Sequence, residues 1–332
     1  MAVKVKVLGS ASQEGLPATE VRPGYVFTFD SRCADYDWLV VFDELPLEAR
    51  GSVRNGFEPL ACPPENTILC TWEPISIKSY SRAYVLQFGH LLTNRPQEAE
   101  RHPGYRLGRG YFPCLHGHAP RELEALPPKT KMLSVVCSAK QMRHSKHFAR
   151  FRLVSELAGS VPEMDWFGHG VRPIAKKYEA LDPYKYHVAV ENHIGAHHWT
   201  EKFADPILCE CLPFYAGDPA IAEIFPKECF IPIPIDDPAE AIAIVRSAMS
   251  AGEYERRRDA ILEAKRLILT KYNFFDQVIG TIEASAAGIR SFVPHSASRI
   301  YARRTLRRHS AAAFLEDGVL HLKRLIGFGA PS

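Results

Sequence analysis

The residues best placed to do chemistry lie between Tyr186 and Pro219. A short β-like run, His187 to Val190, meets an acid and an amide, Glu191-Asn192. A polar loop follows, and Thr200-Glu201-Lys202 then opens an amphipathic helix that leads to Pro213 and a Gly217-Asp218-Pro219 turn. The first turn of a helix offers unpaired N–H groups and the positive end of the helix dipole, so it attracts phosphate. A lysine there is disfavoured by the dipole and points to a nearby anion. Glu201 either stabilises the helix end or holds ribose hydroxyls. Thr200 is the natural N-cap, with no glutamate three residues later to complete a capping box. The outline is that of a nucleotide-diphosphate site.

Positioning such a site takes a sheet. Glu191 and Asn192 end a buried strand, where an unpaired carboxylate costs several kcal/mol. Each therefore needs a partner: hydroxyls of a nucleotide sugar, or backbone N–H groups of the following loop. Strands are predicted at Leu133 to Cys137, Asp165 to Phe167, Tyr186 to Val190 and Phe230 to Ile235, with helices from Lys146 to Leu157 and from Glu201. Alternating β and α elements with short connections imply a parallel sheet with helices on both faces. Helices follow over Ala239 to Ser250 and Glu253 to Tyr272; in the second, Ile261, Ala264, Ile268 and Tyr272 share a face. Upstream, Val3 to Leu8, Trp38 to Phe42 and Thr67 to Cys70 read as strands of another α/β domain. Three prolines between Ala119 and Lys131 mark the boundary. Two such domains facing one another would bind ligands in a cleft at the carboxyl ends of their strands.

A chain of 332 residues with 46% hydrophobic content can bury enough core for two domains of roughly 100 to 200 residues. Its 41 basic and 38 acidic residues nearly balance, which argues against a general nucleic-acid binder. The 8 cysteines lack Cys-x-x-Cys spacing and read as reduced thiols. The N-terminus lacks the basic end, apolar run and cleavage site of a signal peptide, and no apolar run reaches the ~18 residues of a membrane helix. The expected location is cytoplasmic. Arg299, Arg303, Arg304, Arg307 and Arg308 form a basic helix-like stretch, either a solvated face or a peripheral contact with anionic lipid at the inner face of the membrane.

The pattern Tyr186-x-x-x-x-Glu191-Asn192, Trp199-Thr200-Glu201-Lys202 and Leu212-Pro213-Phe214-Tyr215-x-Gly217-x-Pro219 resembles the donor-binding signature of the family 10 glycosyltransferases, the α1,3/4-fucosyltransferases. The likeness continues through Val136-Cys137-Ser138, Phe151-Arg152-Leu153, Asp165-Trp166-Phe167-Gly168, Phe225-Pro226 and Phe230-Ile231. It is strong over about half the chain and loose over the first 125 residues. It implies the GT-B fold, two Rossmann-like domains facing a cleft. Residues 1–125 would bind the acceptor, 131–290 the nucleotide-sugar donor, and 291–332 would form a basic helical tail. Animal members carry a membrane anchor, so the likeness is to the bacterial type. Tyrosine in many relatives at the place of His198, and often aspartate at that of His197, bear on the donor sugar more than on the nucleotide.

The resemblance further implies inverting, metal-independent transfer of L-fucose from GDP-fucose to a glycan hydroxyl. Such a reaction needs a base for the acceptor proton and positive charge for the departing diphosphate. Glu73, after a predicted strand and before Pro74, matches the acid of the family's acceptor domain and is the expected base. Lys202 with Arg150 or Arg152 would meet the diphosphate: the match to Phe-Arg-Leu favours Arg152, spacing back from Leu157 favours Arg150, and both stay open. Ser138, Glu191, Asn192, His198, Thr200, Glu201, Lys202 and Gly217 would line the donor. Asp35-Tyr36-Asp37 reads as a solvated strand entry rather than a metal motif. The histidines 193, 197 and 198, with His144 and His147, lack a completing carboxylate or cysteine, so no metal or other cofactor is expected. Two other readings are a transferase of another nucleotide-linked sugar in lipopolysaccharide or capsule assembly, and a non-catalytic nucleotide-sugar or glycan-binding protein.

Overall fold

The structure, a computed structural model, describes residues 1–9, 18–45, 56–73, 78–96, 102–108, 110, 126–139, 147–288, 292–294 and 298–325. Its contacts separate two compact units: Met1–Gly108 together with Phe275–Ser332, and Arg109–Phe274. The first unit opens with β1 (Val3–Gly9), β2 (Thr19–Arg22), β3 (Tyr25–Thr28), β4 (Trp38–Phe42), β5 (Phe57–Pro59), β6 (Thr67–Thr71), helix α1 (Arg82–Val85), β7 (His90–Thr93) and β8 (Tyr105–Leu107). Its sheet runs β2-β3-β1-β4-β6-β7-β8, parallel except for the antiparallel edge pair β2–β3. Leu39, Val40 and Val41 of β4 and Ile68, Leu69 and Cys70 of β6 are fully buried. Unbroken apolar strands of this kind belong to a sheet covered on both faces.

The second unit is more regular. It comprises β9 (Lys131–Val136), α2 (His147–Ser160), β10 (Met164–Phe167), β11 (Tyr184–Val190), α3 (Glu201–Leu208), β12 (Leu212–Ala216), β13 (Ile231–Pro232), α4 (Pro238–Ser250), α5 (Glu253–Arg256) and α6 (Arg258–Thr270). Its five strands are all parallel in the order β10-β9-β11-β12-β13, a doubly wound order whose direction reverses between β9 and β11. β12 escapes a sequence reading because Pro213 looks like a breaker. The proline is tolerated because the β13 ladder begins only at Phe214. For the same reason the predicted strand over Phe230 to Ile235 shrinks to two ladder residues, since Pro232 and Pro234 have no N–H to give. The helix predicted over Glu253 to Tyr272 is interrupted at Arg257, but Ile261, Ala264 and Ile268 share the buried face that their spacing requires.

Helix α7 (Phe274–Ala286), β14 (Arg299–Tyr301), α8 (Arg303–His309) and α9 (Ala311–Leu325) rejoin the first unit. The expected division at 1–125, 131–290 and 291–332 therefore differs from the one found: the second unit closes at Phe274, and the C-terminal segment is part of the first. Residues 119–125 of the expected boundary lie outside the described residues. What ties the segment back is backbone pairing. β14 runs antiparallel to β5 with Ile300 opposite Glu58, and the Gln87 side chain brackets Tyr301, accepting from its N–H at 2.9 Å and donating to its carbonyl at 3.2 Å. Arg106 donates to the Gly280 carbonyl from the neighbouring strand end. A three-residue strand shows no period-two pattern, so this return leaves no mark in the sequence. Arg299, expected on a basic helix, lies in β14 with its guanidinium 4.7 Å from the Phe57 ring centre.

The β5–β14 pair is anchored by a buried ion pair. Lys6 Nζ on β1 lies 2.6 Å from Glu58 Oε1 and donates to the Cys33 carbonyl at 2.8 Å; both side chains are at most 7% exposed. Burial pushes the Glu58 carboxyl upward, and Lys6 opposes it. Removing one member of such a pair leaves an uncompensated charge, which costs about 3–5 kcal/mol. Lys6→Met should therefore lower unfolding stability by that amount in denaturant titrations, and Lys6→Met/Glu58→Met should recover most of it. A double variant no more stable than the single one would contradict this account.

Candidate active site

The candidate residues of the second unit gather where strand order reverses, at the carboxyl ends of β9 and β11, which is where doubly wound sheets bind ligands. Glu191 follows β11 and is fully buried. Its Oε1 accepts from the Thr200 N–H at 2.9 Å and its Oε2 from the Thr200 hydroxyl at 2.7 Å. Of the two partners the sequence left open, the structure supplies the loop. Thr200 Oγ1 in turn accepts from the Lys202 N–H at 3.2 Å, so the N-cap of α3 is bolted to the end of the strand. Burial pushes the Glu191 carboxyl up to about 7, against the pull of Lys202 and the Thr200 donors.

Gly217 is fixed by the same knot. A Cβ at this position would lie 2.1 Å from Tyr215 Oη and 2.7 Å from Glu191 Cγ, so only glycine fits. Tyr215 Oη accepts from the Asp218 N–H at 3.0 Å, and burial, reinforced by Glu191, drives its phenol far above the ordinary value. Asp218 Oδ1 accepts from the N–H groups of His197 and Ala220, each at 2.8 Å, and folds the loop before α3 onto the turn after β12. Beside that turn lies a largely apolar cavity of about 440 Å³, lined among others by Ile194, Tyr215, Asp218, Phe230 and Ile233. Tyr215 and Asp218 stand in the sequence signature and its Gly-Asp-Pro turn, but the sequence gives neither of them a role.

The cations separate clearly. Arg150 on α2 is 7% exposed and donates from Nη1 to Asn192 Oδ1 at 2.6 Å. Its Nε has no hydrogen-bond partner, and among the described residues no carboxylate pairs with it. Its charge bears on both Lys202 and the Cys137 thiol. Arg152, two residues on, is exposed and held by Glu156 at 3.0 Å in an i,i+4 pair. Lys202 Nζ sits 2.7 Å from Glu201 Oε1 and 3.9 Å from Glu191 Oε2. Burial draws the Lys202 ammonium down, but the carboxylates of Glu201 and Glu191 outweigh it and hold the group above its ordinary value. A guanidinium more than nine-tenths buried without a carboxylate partner is costly and calls for an anion.

The remaining expected residues are spread more widely. Ser138, just past β9, is half-buried; a Cβ on Gly168 would lie 3.0 Å from its nitrogen and 2.4 Å from the Cys137 carbonyl. His198 is 8% exposed, and its ring meets that of His193 with centres 5.3 Å apart. His144 and the His147 side chain lie outside the described residues, among which no three potential metal ligands converge. Asp35 and Asp37 are engaged with Lys4, the first through Nζ at 2.5 Å and the second through its backbone N–H at 2.8 Å.

Glu73 belongs to the first unit, where it is exposed two residues past β6; Pro74 lies outside the described residues. Near it is a residue that sequence reasoning missed. Asp43, at the end of β4, has a left-handed backbone with φ of 61° and is 3% exposed. It accepts from Tyr80 Oη at 2.6 Å, its N–H donates to the Cys70 carbonyl at 2.7 Å, and its carboxylate is held by the backbone at Trp72, the residue before Glu73.

Residues 126–245 match the model of the C-terminal domain of glycosyltransferase family 10 (fucosyltransferase). Over these residues the chain is similar to the family 10 glycosyltransferases. Among curated proteins none matches the chain. Among solved structures, an α1,3-fucosyltransferase crystal structure superposes with a TM-score of 0.52 at 16% identity, covering 85% of this chain and 89% of that one. The α1,3-fucosyltransferase with GDP gives 0.51 at 15% identity, covering 85% and 90%. The fold of this glycosyltransferase is thus GT-B, with both α/β units of that plan present.

The raised Glu191 carboxyl of the glycosyltransferase gives a pH test. A carboxyl that holds its proton more tightly folded than unfolded makes stability fall as pH rises from the unfolded value near 4.5 to about 7. Glu191→Gln keeps an acceptor for the Thr200 N–H and removes the titration. Its stability relative to wild type should rise between pH 5 and pH 8 by an amount on the order of 3 kcal/mol, read from melts across that range. Parallel pH profiles for the two proteins would refute it.

Proposed function

We propose that this glycosyltransferase moves L-fucose from GDP-fucose to a glycan hydroxyl, inverting the anomeric carbon and meeting the leaving diphosphate with protein cations rather than a metal ion. The observation that carries the reading is Arg150: a buried guanidinium at the strand-order reversal, short of an anion, beside Lys202 and the N-terminus of α3. The family 10 match and the likeness to an α1,3-fucosyltransferase with GDP support a guanosine diphosphate donor.

In this reading the Glu73 carboxylate takes the proton of the acceptor hydroxyl. The acceptor oxygen attacks the anomeric carbon from the face opposite the diphosphate, and the bond from that carbon to the diphosphate oxygen breaks. Arg150, Lys202 and the first N–H groups of α3 receive the developing negative charge. Arg150 is assigned this contact, and Arg152 is not. Glu201 keeps Lys202 charged and reaches the ribose, while Ser138, Asn192, His198 and Gly217 shape the donor's surroundings. Glu191 acts through Thr200, as the brace of that helix end. The first unit reads the acceptor. No helix among the described residues is long and apolar enough to cross a membrane. The described cysteines are free thiols, all but Cys33 buried, which suits the reducing cytoplasm.

Purified protein given GDP-fucose and a glycan panel should release GDP equally with and without EDTA. Arg150→Ala and Lys202→Ala should weaken GDP binding about tenfold or more, while Arg152→Ala leaves it unchanged. Glu73→Ala should bind GDP normally and turn over about 10²-fold more slowly. Chelator-sensitive turnover, or equal damage from Arg150→Ala and Arg152→Ala, would sink the charge assignment. Release of the nucleoside diphosphate only from a different nucleotide sugar would replace the donor, and binding without release across the panel would make the protein a receptor.

A further inference from the structure

The outward face of a helix in a water-soluble protein is ordinarily polar. In α9 the polarity is reversed. Phe314, Leu315, Val319 and Leu322 are 63%, 65%, 53% and 57% exposed. With Ala311, Ala312 and Gly318 they fill an arc of about 160° at 3.6 residues per turn. Every exposed side chain described on this helix is apolar or small. Its acids face the protein instead. Asp317, 5% exposed, takes Arg307 at 2.5 Å and Arg303 at 3.6 Å, and Glu316 accepts from the Ala83 N–H at 3.2 Å. These contacts fix the rotation of α9 and turn its apolar side to solvent.

Two arginines of α8 are consumed in that way, and two are not. Arg304 and Arg308 are exposed, and neither has an ion pair among the described residues. Arg308 precedes the head of the apolar arc by three residues, and Ser310 alone separates the helices.

We propose that α8 and α9 form a docking surface for a lipid bilayer bearing anionic headgroups. The Phe314, Leu315, Val319 and Leu322 arc enters the boundary between headgroups and acyl chains, while Arg304 and Arg308 meet the phosphates. Charge decides between lipid and a second copy of this chain. A second copy pairing through this face would have no exposed carboxylate described on either helix to receive Arg304 and Arg308. An anionic surface complements the same face.

The test is co-sedimentation of the full chain with vesicles of phosphatidylcholine alone, or with about one-third phosphatidylglycerol. The protein should pellet with the anionic vesicles, leave them as salt is raised, and stay in solution with the neutral ones. Arg304→Gln/Arg308→Gln should weaken anionic binding by about tenfold or more, and Leu315→Gln/Leu322→Gln should abolish it, with thermal melting unchanged in both. Equal partition onto both vesicle types, no partition at all, or wild-type binding by either variant would overturn the proposal. A sedimentation-velocity dimer dispersed by Leu315→Gln/Leu322→Gln would overturn it in favour of a second copy.

Discussion

One contact organises the second unit: the fully buried Glu191 carboxylate gripping both the N–H and the hydroxyl of Thr200. A carboxylate at that depth is tolerable only because each oxygen has a donor. The bond joins the end of β11 to the start of α3, so the helix end that carries Lys202 is set by the sheet and not by loop conformation. Gly217 and Tyr215 pack against the same carboxylate from β12, leaving no room for a side chain at residue 217. That end of α3 is held by contacts within the protein itself.

Around that brace the charges are arranged asymmetrically. Lys202 has carboxylates on two sides and keeps its proton despite burial. Among the described residues Arg150 has the neutral amide of Asn192 and the Cys137 thiol, no carboxylate, and an unpartnered Nε. A site that paired both cations internally would offer an anion little. Leaving one guanidinium short of charge, in surroundings of low dielectric, leaves a positive potential there that an anion would relieve. The cost to the unliganded protein is the destabilisation that functional sites commonly carry.

The first unit relies on the same device for architecture. Lys6 and Glu58 are buried together and hold β5, and through β5 the short β14 brings the C-terminal segment back. The internal use of Arg303 and Arg307 on Asp317 is a third instance. In each case a buried charge pair ties one element to another.

Sequence alone determined the parallel α/β organisation, because unbroken apolar strands and alternating elements follow from local periodicity. It also determined the acid-amide, N-cap and first-turn lysine around α3, because a strand end and a helix start have local signatures. Tertiary structure decided what depends on which face an element docks. Arg150 and Arg152 stand about 200° apart on a helix, and only the docking of α2 buries one and exposes the other. The same holds for the partner of Glu191, the role of Asp218, the return of residues 275–332 to the first unit, and the outward turn of the apolar side of α9. Each is a contact between residues distant in the chain or a choice of helix rotation, and neither is written in the spacing of neighbours.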